Sequence, residues 1–461
     1  MTARLIFACG PGGCFAVMEA NPTRDIRCRT PRSLRPLAQR PPLPPPGLGP
    51  VGAALATVHP IVLSHGRNAL VWDSAGREYI DFVGGIGVLN LGHCHPAVVA
   101  AVAGQAQRLI HSAYNAVPHQ GYGELMEALA DFVAVGYPLA GMLTNSGAEA
   151  VENALKIVRA ATGRSAVIAF DGGFHGRTLA ALNLNGKVVP YKQGVGPLPG
   201  PVYHVPYPSQ DTGVDAQTAF AAIARLLEVE IDAGEVGCFV VEPILGDGGF
   251  QALDPAFACR LRSFCDERGI VLVVDEIQSG FGRTGRRFAF HRLGIEPDLL
   301  LLGKSIAGGL PLGAVVGRRE LLDSLPQGGL GGTYSGNPLA CAAALASLRI
   351  MTDANLAAWG QAQEHAVLRR HAHWRRRALS PCLGRLTGVG AMRGIELTDP
   401  QGAPGTWQLA TLLQRARDRG LLLMPSGRHR HIVRLLAPLT IEPELFERGL
   451  DIIESCLADL G

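Results

Sequence analysis

The sequence predicts an α/β protein, with a largely parallel sheet flanked by helices in a large domain and a smaller α+β domain after it. Three observations predict this. Continuous apolar runs such as Ile270-Val271-Leu272-Val273-Val274 and Leu299-Leu300-Leu301-Leu302 read as strands buried on both faces. Such runs alternate with segments of helical periodicity through the middle of the chain. At 461 residues the chain exceeds one simple core, and its pattern changes beyond residue 351.

The elements follow in order. Residues 68–73 and 77–82 read as a hairpin joined by Ser74-Ala75-Gly76. Helical periodicity marks residues 96–110 and 123–135, then 149–161, 218–229 and 255–267. Strands are expected at 166–170, 238–241 and 270–274, and the run ending at Lys304 adds another. A long helix spans 337–351, after which 384–397, 407–419, 420–424, 431–436 and 443–457 make up the α+β tail. The expected organisation is an extension over 1–50, a segment 51–95 packing with the small domain, a large domain over 96–345 and a small domain over 346–461. There is no internal repeat.

Composition narrows the function class. Hydrophobic content of 47% with 18% charged residues suits a globular enzyme, and a net charge of +3 gives no reason to invoke nucleic acid or an anionic membrane. No apolar run reaches the length of a membrane-spanning helix. Ten cysteines lack zinc-like spacing, and His93-Cys94-His95 reads as a turn, so reduced thiols in the cytoplasm and no metal are expected. Residues 1–50 carry seven arginines and the block Pro41-Pro42-Leu43-Pro44-Pro45-Pro46, which predicts an extended or unfolded arm. A start placed too far upstream, a flexible arm and a mitochondrial targeting peptide compete as its explanation, and the targeting peptide ranks below the upstream start.

Lys304 closes Gly303-Lys304-Ser305 at one strand end, and Asp275 closes another in Asp275-Glu276-Ile277-Gln278. An amine and a carboxylate at neighbouring strand ends are what pyridoxal phosphate chemistry requires: one forms a Schiff base, the other meets the pyridinium nitrogen. A phosphate-binding P-loop fails because Asp298 stands where its first glycine belongs. Asn145-Ser146-Gly147-Ala148-Glu149 opens a helix and offers free N–H groups to a phosphate, although Ser146 also reads as an ordinary N-cap. Phe174 in Gly173-Phe174-His175-Gly176-Arg177 offers a flat face to a ring, and Arg177 a fork for a carboxylate. Glu242 and Asp247 leave the strand at 238–241 in a glycine-rich loop, and pairing with arginines is expected for them. Arg434 lies inside the apolar run Ile432-Val433-Arg434-Leu435-Leu436, where it needs a carboxylate from the protein or from a substrate. Gly331-Gly332-Thr333-Tyr334 is a glycine-rich loop ahead of a helix.

Together these segments resemble the class III aminotransferases, and within them the 4-aminobutyrate branch. The order and spacing of residues 275–285, of Gly303-Lys304-Ser305 and of Gly332-Thr333-Tyr334 carry the resemblance from about Val58 onward. Gly84-Gly85-Ile86, the segment 186–191 and the segment 434–440 point to that branch. The resemblance implies fold type I, with a mostly parallel seven-stranded sheet. It implies that Lys304 holds the cofactor and shuttles a proton, and that Asp275 keeps the ring nitrogen protonated. Gln278 would bond near the phenolic oxygen, Phe174 would stack on the ring, and His175 would join the cofactor site. Gly147 and Ala148 would hold the phosphate, with Thr333 reaching in from a second subunit, so a homodimer is expected and a tetramer stays open. Ile86 would line the substrate channel beside Glu242, Arg177 would bind the distal carboxylate of an ω-amino acid, and Arg434 the α-carboxylate of 2-oxoglutarate.

One position departs from that branch. Asp247 stands where a glutamate gates the α-carboxylate arginine, and its reach is shorter by roughly 1.5 Å. The expected reaction is transfer of an amino group from 4-aminobutyrate, or from a similar ω-amino acid such as 5-aminovalerate, to 2-oxoglutarate. The alternative is an amino acid racemase or epimerase on the same frame, motivated by Asp247. A catalytically silent binding protein is the rival from another class.

Overall fold

The structure is a computed structural model that describes residues 7–10, 13–16, 51–52 and 54–460. The chain divides into the compact units Met1–Thr57 and Val58–Gly461. In the first, where the sequence predicts an unfolded arm, Phe7–Gly10 pairs antiparallel with Gly13–Ala16. The remaining expectations for 1–50 lie outside the described residues.

The second unit is built on a seven-stranded sheet: β1 (Leu139–Thr144), β2 (Ala166–Phe170), β3 (Val202–Val205), β4 (Val236–Val241), β5 (Val271–Asp275), β6 (Leu299–Leu302) and β7 (Gly313–Arg318). Their spatial order is β1-β7-β6-β5-β4-β2-β3. Only β7 runs against its neighbours, so six strands end on one rim. Alternate side chains explain the continuous apolar runs. Leu272, Val274, Leu300 and Leu302 enter one core, while Val271, Val273, Leu299 and Leu301 enter the core on the other face. Helices cover both faces. Gly147–Thr162 begins two residues earlier than its periodicity suggests, with Ser146 Oγ accepting from the Glu149 N–H at 3.2 Å.

A separate core joins two smaller sheets. Leu383–Val389, Met392–Leu397, Ile432–Leu435 and Met424–Ser426 form one, entirely antiparallel. In the other, Leu421–Leu422 lies parallel to Glu78–Asp81, which pairs antiparallel with Leu70–Asp73. Ala69, Ile80 and Phe82 share this core with Leu412, Val433, Leu450 and Trp374. Leu348, Met351 and Leu356 still belong to the larger core. On that division we propose the boundary beyond residue 356 rather than near 345, with residues 69–82 serving the smaller domain. Among the described residues no single helix is long and apolar enough to cross a membrane.

Candidate active site

The common rim of the sheet gathers the residues singled out in the sequence. Asp275 is the last residue of β5 and pairs in register with Leu301, three positions before Lys304. Lys304 itself holds φ +44°, a left-handed conformation that costs a non-glycine residue energy. Its amine is enclosed deeply enough for desolvation, then the charge of Arg434, to pull it down to about 7, against the opposing pull of Glu242, Asp275 and Asp247. Among the described residues its Nζ has no hydrogen-bond or ion-pair partner. Above about pH 7 such an unpartnered amine is neutral and can act as a nucleophile.

Asp275 is fixed from two sides. Its Oδ2 lies 2.7 Å from His175 Nδ1, and its Oδ1 accepts from the Ile277 N–H at 3.0 Å. Burial alone would lower His175, but the hydrogen bond to Asp275 and its charge outweigh it and raise the imidazole. His175 is therefore the carboxylate's orienting partner, a role its sequence position did not disclose. Gln278 donates from Nε2 to the Ile86 carbonyl at 3.1 Å, while its Oε1 is buried without a partner. Ile86 sits in the run Gly84-Gly85-Ile86-Gly87, where every φ is positive. That left-handed turn presses against the strand carrying Arg434: a Cβ on Gly84 would lie 2.5 Å from the Leu436 carbonyl.

The helix start lies beside the lysine. A Cβ on Gly303 would come within 3.6 Å of Gly147 Cα, and one on Gly147 would strike Ile277 at 2.7 Å. Gly147 and Ala148, both half-buried, thus open a sixteen-residue helix next to the residue preceding Lys304. Phe174 stands 5.1 Å from Tyr191, and the Arg177 guanidinium lies 5.3 Å from the Tyr191 ring centre and 6.0 Å from that of Phe174. Tyr191 is a site residue that the sequence offered only within a longer segment.

The acidic residues behave differently from expectation. Neither Glu242 nor Asp247 lies within 4.0 Å of an arginine among the described residues. Glu242 accepts instead from the backbone N–H groups of Phe174 at 2.8 Å and Gly246 at 2.9 Å, because its buried position on the rim faces the turns that follow β2 and β4. Burial raises it to about 7. Asp247 pairs with Lys187 at 3.6 Å. Arg434 is 3% exposed, donates from Nη2 to the Pro425 carbonyl at 3.2 Å and leaves Nε without a partner. Burial lowers its guanidinium, opposed first by the charge of Asp247. Thr333 is the one candidate not gathered here. It is exposed, on a loop whose Tyr334 is 66% exposed and lies tilted against His111, with ring centres 5.0 Å apart.

This arrangement fits pyridoxal phosphate. A desolvated amine and a fixed carboxylate share the rim, Gln278 keeps a buried amide oxygen without a partner, and a glycine-opened helix end offers N–H groups for a phosphate. Among the described residues no cluster of three metal-ligating side chains occurs.

Comparison with known proteins agrees. The class-III aminotransferase profile matches residues 52–457. The chain is 68% identical to the 2-aminoadipate transaminase of Pseudomonas putida, over 89% of this chain and 99% of that protein. It is 44% identical to the 4-aminobutyrate aminotransferase of Escherichia coli, over 87% and 94%. It is 42% identical to the 5-aminovalerate aminotransferase of Pseudomonas aeruginosa, over 89% and 96%. Among solved structures, ornithine aminotransferase of Toxoplasma gondii superposes with a TM-score of 0.77 at 31% identity, covering 88% of this chain and 92% of that one. Profile, relatives and fold lead to one conclusion: the chain belongs to the class-III aminotransferases, pyridoxal-phosphate-dependent enzymes that pass an amino group from an amino donor to an oxo acid.

Proposed function

We propose that this enzyme moves the amino group of 2-aminoadipate, an α-amino dicarboxylate, to 2-oxoglutarate, giving 2-oxoadipate and glutamate. One observation carries the reading: Asp247 is engaged by Lys187, and among the described residues no carboxylate lies within 4.0 Å of Arg434. A donor and an acceptor that both carry an α-carboxylate can then use the same guanidinium in both half-reactions. Arg177 takes the distal carboxylate of each. The relative at 68% identity is named for this donor.

When bound, pyridoxal phosphate supplies the aldehyde that captures the amino group and the electron sink for the carbon that loses its proton. Lys304, neutral above about pH 7, provides the amine that anchors it and afterwards carries a proton to and from the reacting carbon. Asp275, oriented by His175, keeps the ring nitrogen protonated. Gly147 and Ala148 hold the phosphate with their N–H groups, Phe174 covers a ring face, and Gln278 bonds near the phenolic oxygen. Ile86 and Glu242 shape the substrate side. Thr333 reaches the phosphate of a partner subunit, which makes the working unit a homodimer, and pairing of dimers into a tetramer is a further step. We place it in the cytoplasm, where the seven free cysteines among the described residues stay reduced.

The second reading is an ω-aminotransferase for 4-aminobutyrate or 5-aminovalerate. It is favoured by Arg177, which lies exposed beside Tyr191 and can hold a single distal carboxylate. A donor panel of 2-aminoadipate, 4-aminobutyrate and 5-aminovalerate, each assayed with 2-oxoglutarate and with pyruvate, separates the two. We expect kcat/KM for 2-aminoadipate to lead by about tenfold or more, a difference of about 1.4 kcal/mol; a lead for 4-aminobutyrate overturns the proposal. The racemase alternative rests on Asp247 alone, and a chiral assay without oxo acid should register no sustained inversion. Lys304→Ala should abolish both turnover and the absorbance of the linked cofactor.

A further inference from the structure

We infer that Lys187 is a specificity-positioning residue: it neutralises Asp247 and so keeps Arg434 free for the α-carboxylate of the substrate. The inference rests on the reading of Arg434 given above. Asp247 is held on two sides. Its carboxylate meets Lys187 Nζ at 3.6 Å, and its backbone carbonyl accepts from the Gly427 N–H at 2.8 Å. Lys187 in turn lies 3.4 Å from the Gly427 carbonyl and 5.9 Å from the centre of the Tyr191 ring. Lysine and aspartate are both largely shielded, with side chains 17% and 18% exposed, so water screens the pair only weakly.

The groups facing Asp247 are few. Lys187 is the cation within ion-pair distance, the Tyr191 hydroxyl is raised by burial and then by the Asp247 charge, and Arg434 feels that same charge. Without Lys187, an uncompensated carboxylate would face the guanidinium and compete with the incoming α-carboxylate. The short side chain of Asp247 and its lysine partner thus act together: one limits reach toward Arg434, the other absorbs the charge.

The test uses holoenzyme. Lys187→Met, which keeps the aliphatic stem, should raise KM for 2-oxoglutarate about tenfold, and the Kd of the unreactive dicarboxylate glutarate by calorimetry alike, while kcat changes little. The double variant Lys187→Met with Asp247→Asn should recover both values, because no negative charge is left to compete. A purely structural lysine would leave the double variant as impaired as the single one, and that result overturns the inference, as does an unchanged KM and Kd in Lys187→Met. A failed 2-aminoadipate reading would appear separately, in the donor panel of the unmodified enzyme. With the donor held the same across variants, the change in acceptor kcat/KM and in glutarate Kd does not depend on which donor wins.

Discussion

At the scale of single residues, the site works by moving charges out of water and then choosing their partners. Lys304 is the clearest case. Enclosure takes its amine to about 7, so it is neutral above that value and protonated below it. Capture of pyridoxal phosphate by apoenzyme should therefore slow roughly tenfold per pH unit below the midpoint, since only the neutral amine attacks. A stopped-flow absorbance series across pH checks this, and a midpoint near the ordinary lysine value of 10.5 would mean the amine is solvated. Arg434 makes the complementary case, a buried guanidinium with a free donor. Arg434→Ala should weaken 2-oxoglutarate and 2-aminoadipate together, by about 10- to 100-fold in KM, and leave 4-aminobutyrate nearly untouched. Equal losses on all three substrates would show that the role assigned to Arg434 is wrong.

At the scale of elements, the rim geometry depends on pieces far from it. The helix Asp353–Arg376 is 24 residues long and escapes the sequence reading for a physical reason. Its buried positions are Leu356, Gly360, Gln363, Val367 and Trp374, a stripe at helical spacing in which only three members are large and apolar. The stripe works by close approach and hydrogen bonding instead: Gln363 donates to the Pro438 carbonyl at 2.7 Å, just beyond the strand that carries Arg434. Trp374 is fully buried and donates to Glu454 at 2.8 Å. Trp374→Ala should cost about 3–5 kcal/mol of stability in denaturant unfolding, mostly as a cavity in the smaller core. The strands β1, β3 and β7 were equally hard to read, because Gly141, Gly313 and Gly317 or a polar residue such as His204 interrupt their apolar runs. Those glycines are required by packing. A Cβ on Gly317 would sit 2.2 Å from the Asp298 carbonyl of the neighbouring segment.

At the scale of the whole molecule, two properties extend beyond any one element. Stability should carry the signature of Glu276, which burial raises to about 8 while the hydroxyl of Ser279 and the Phe290 N–H pull the other way. The folded state keeps this proton between the ordinary value of 4.5 and about 8, whereas the unfolded chain has already released it. Stability must then fall as pH rises through that window. Glu276→Gln mimics the neutral acid, so its melting temperature should gain on the parent as the pH rises, and parallel curves would contradict the assignment. Assembly is the second property. If Thr333 serves a partner's phosphate, Thr333→Ala and Lys304→Ala subunits are each impaired, yet a mixed dimer contains one complete site. Refolding the two together should restore activity; no recovery would place Thr333 in its own subunit's site or in none.

The sequence by itself determined the chemistry and its frame. Asp275 ends an uninterrupted apolar strand and Lys304 stands two residues beyond another, and a parallel sheet necessarily brings such ends to one rim. Only the tertiary structure decided which charge answers which. The pairing of Asp247 with Lys187, of Asp275 with His175 and of Glu242 with two backbone N–H groups joins segments between 4 and 100 residues apart. Electrostatic partnership is set by distances of a few ångströms and by the exclusion of water, and neither is written in the order of residues along the chain.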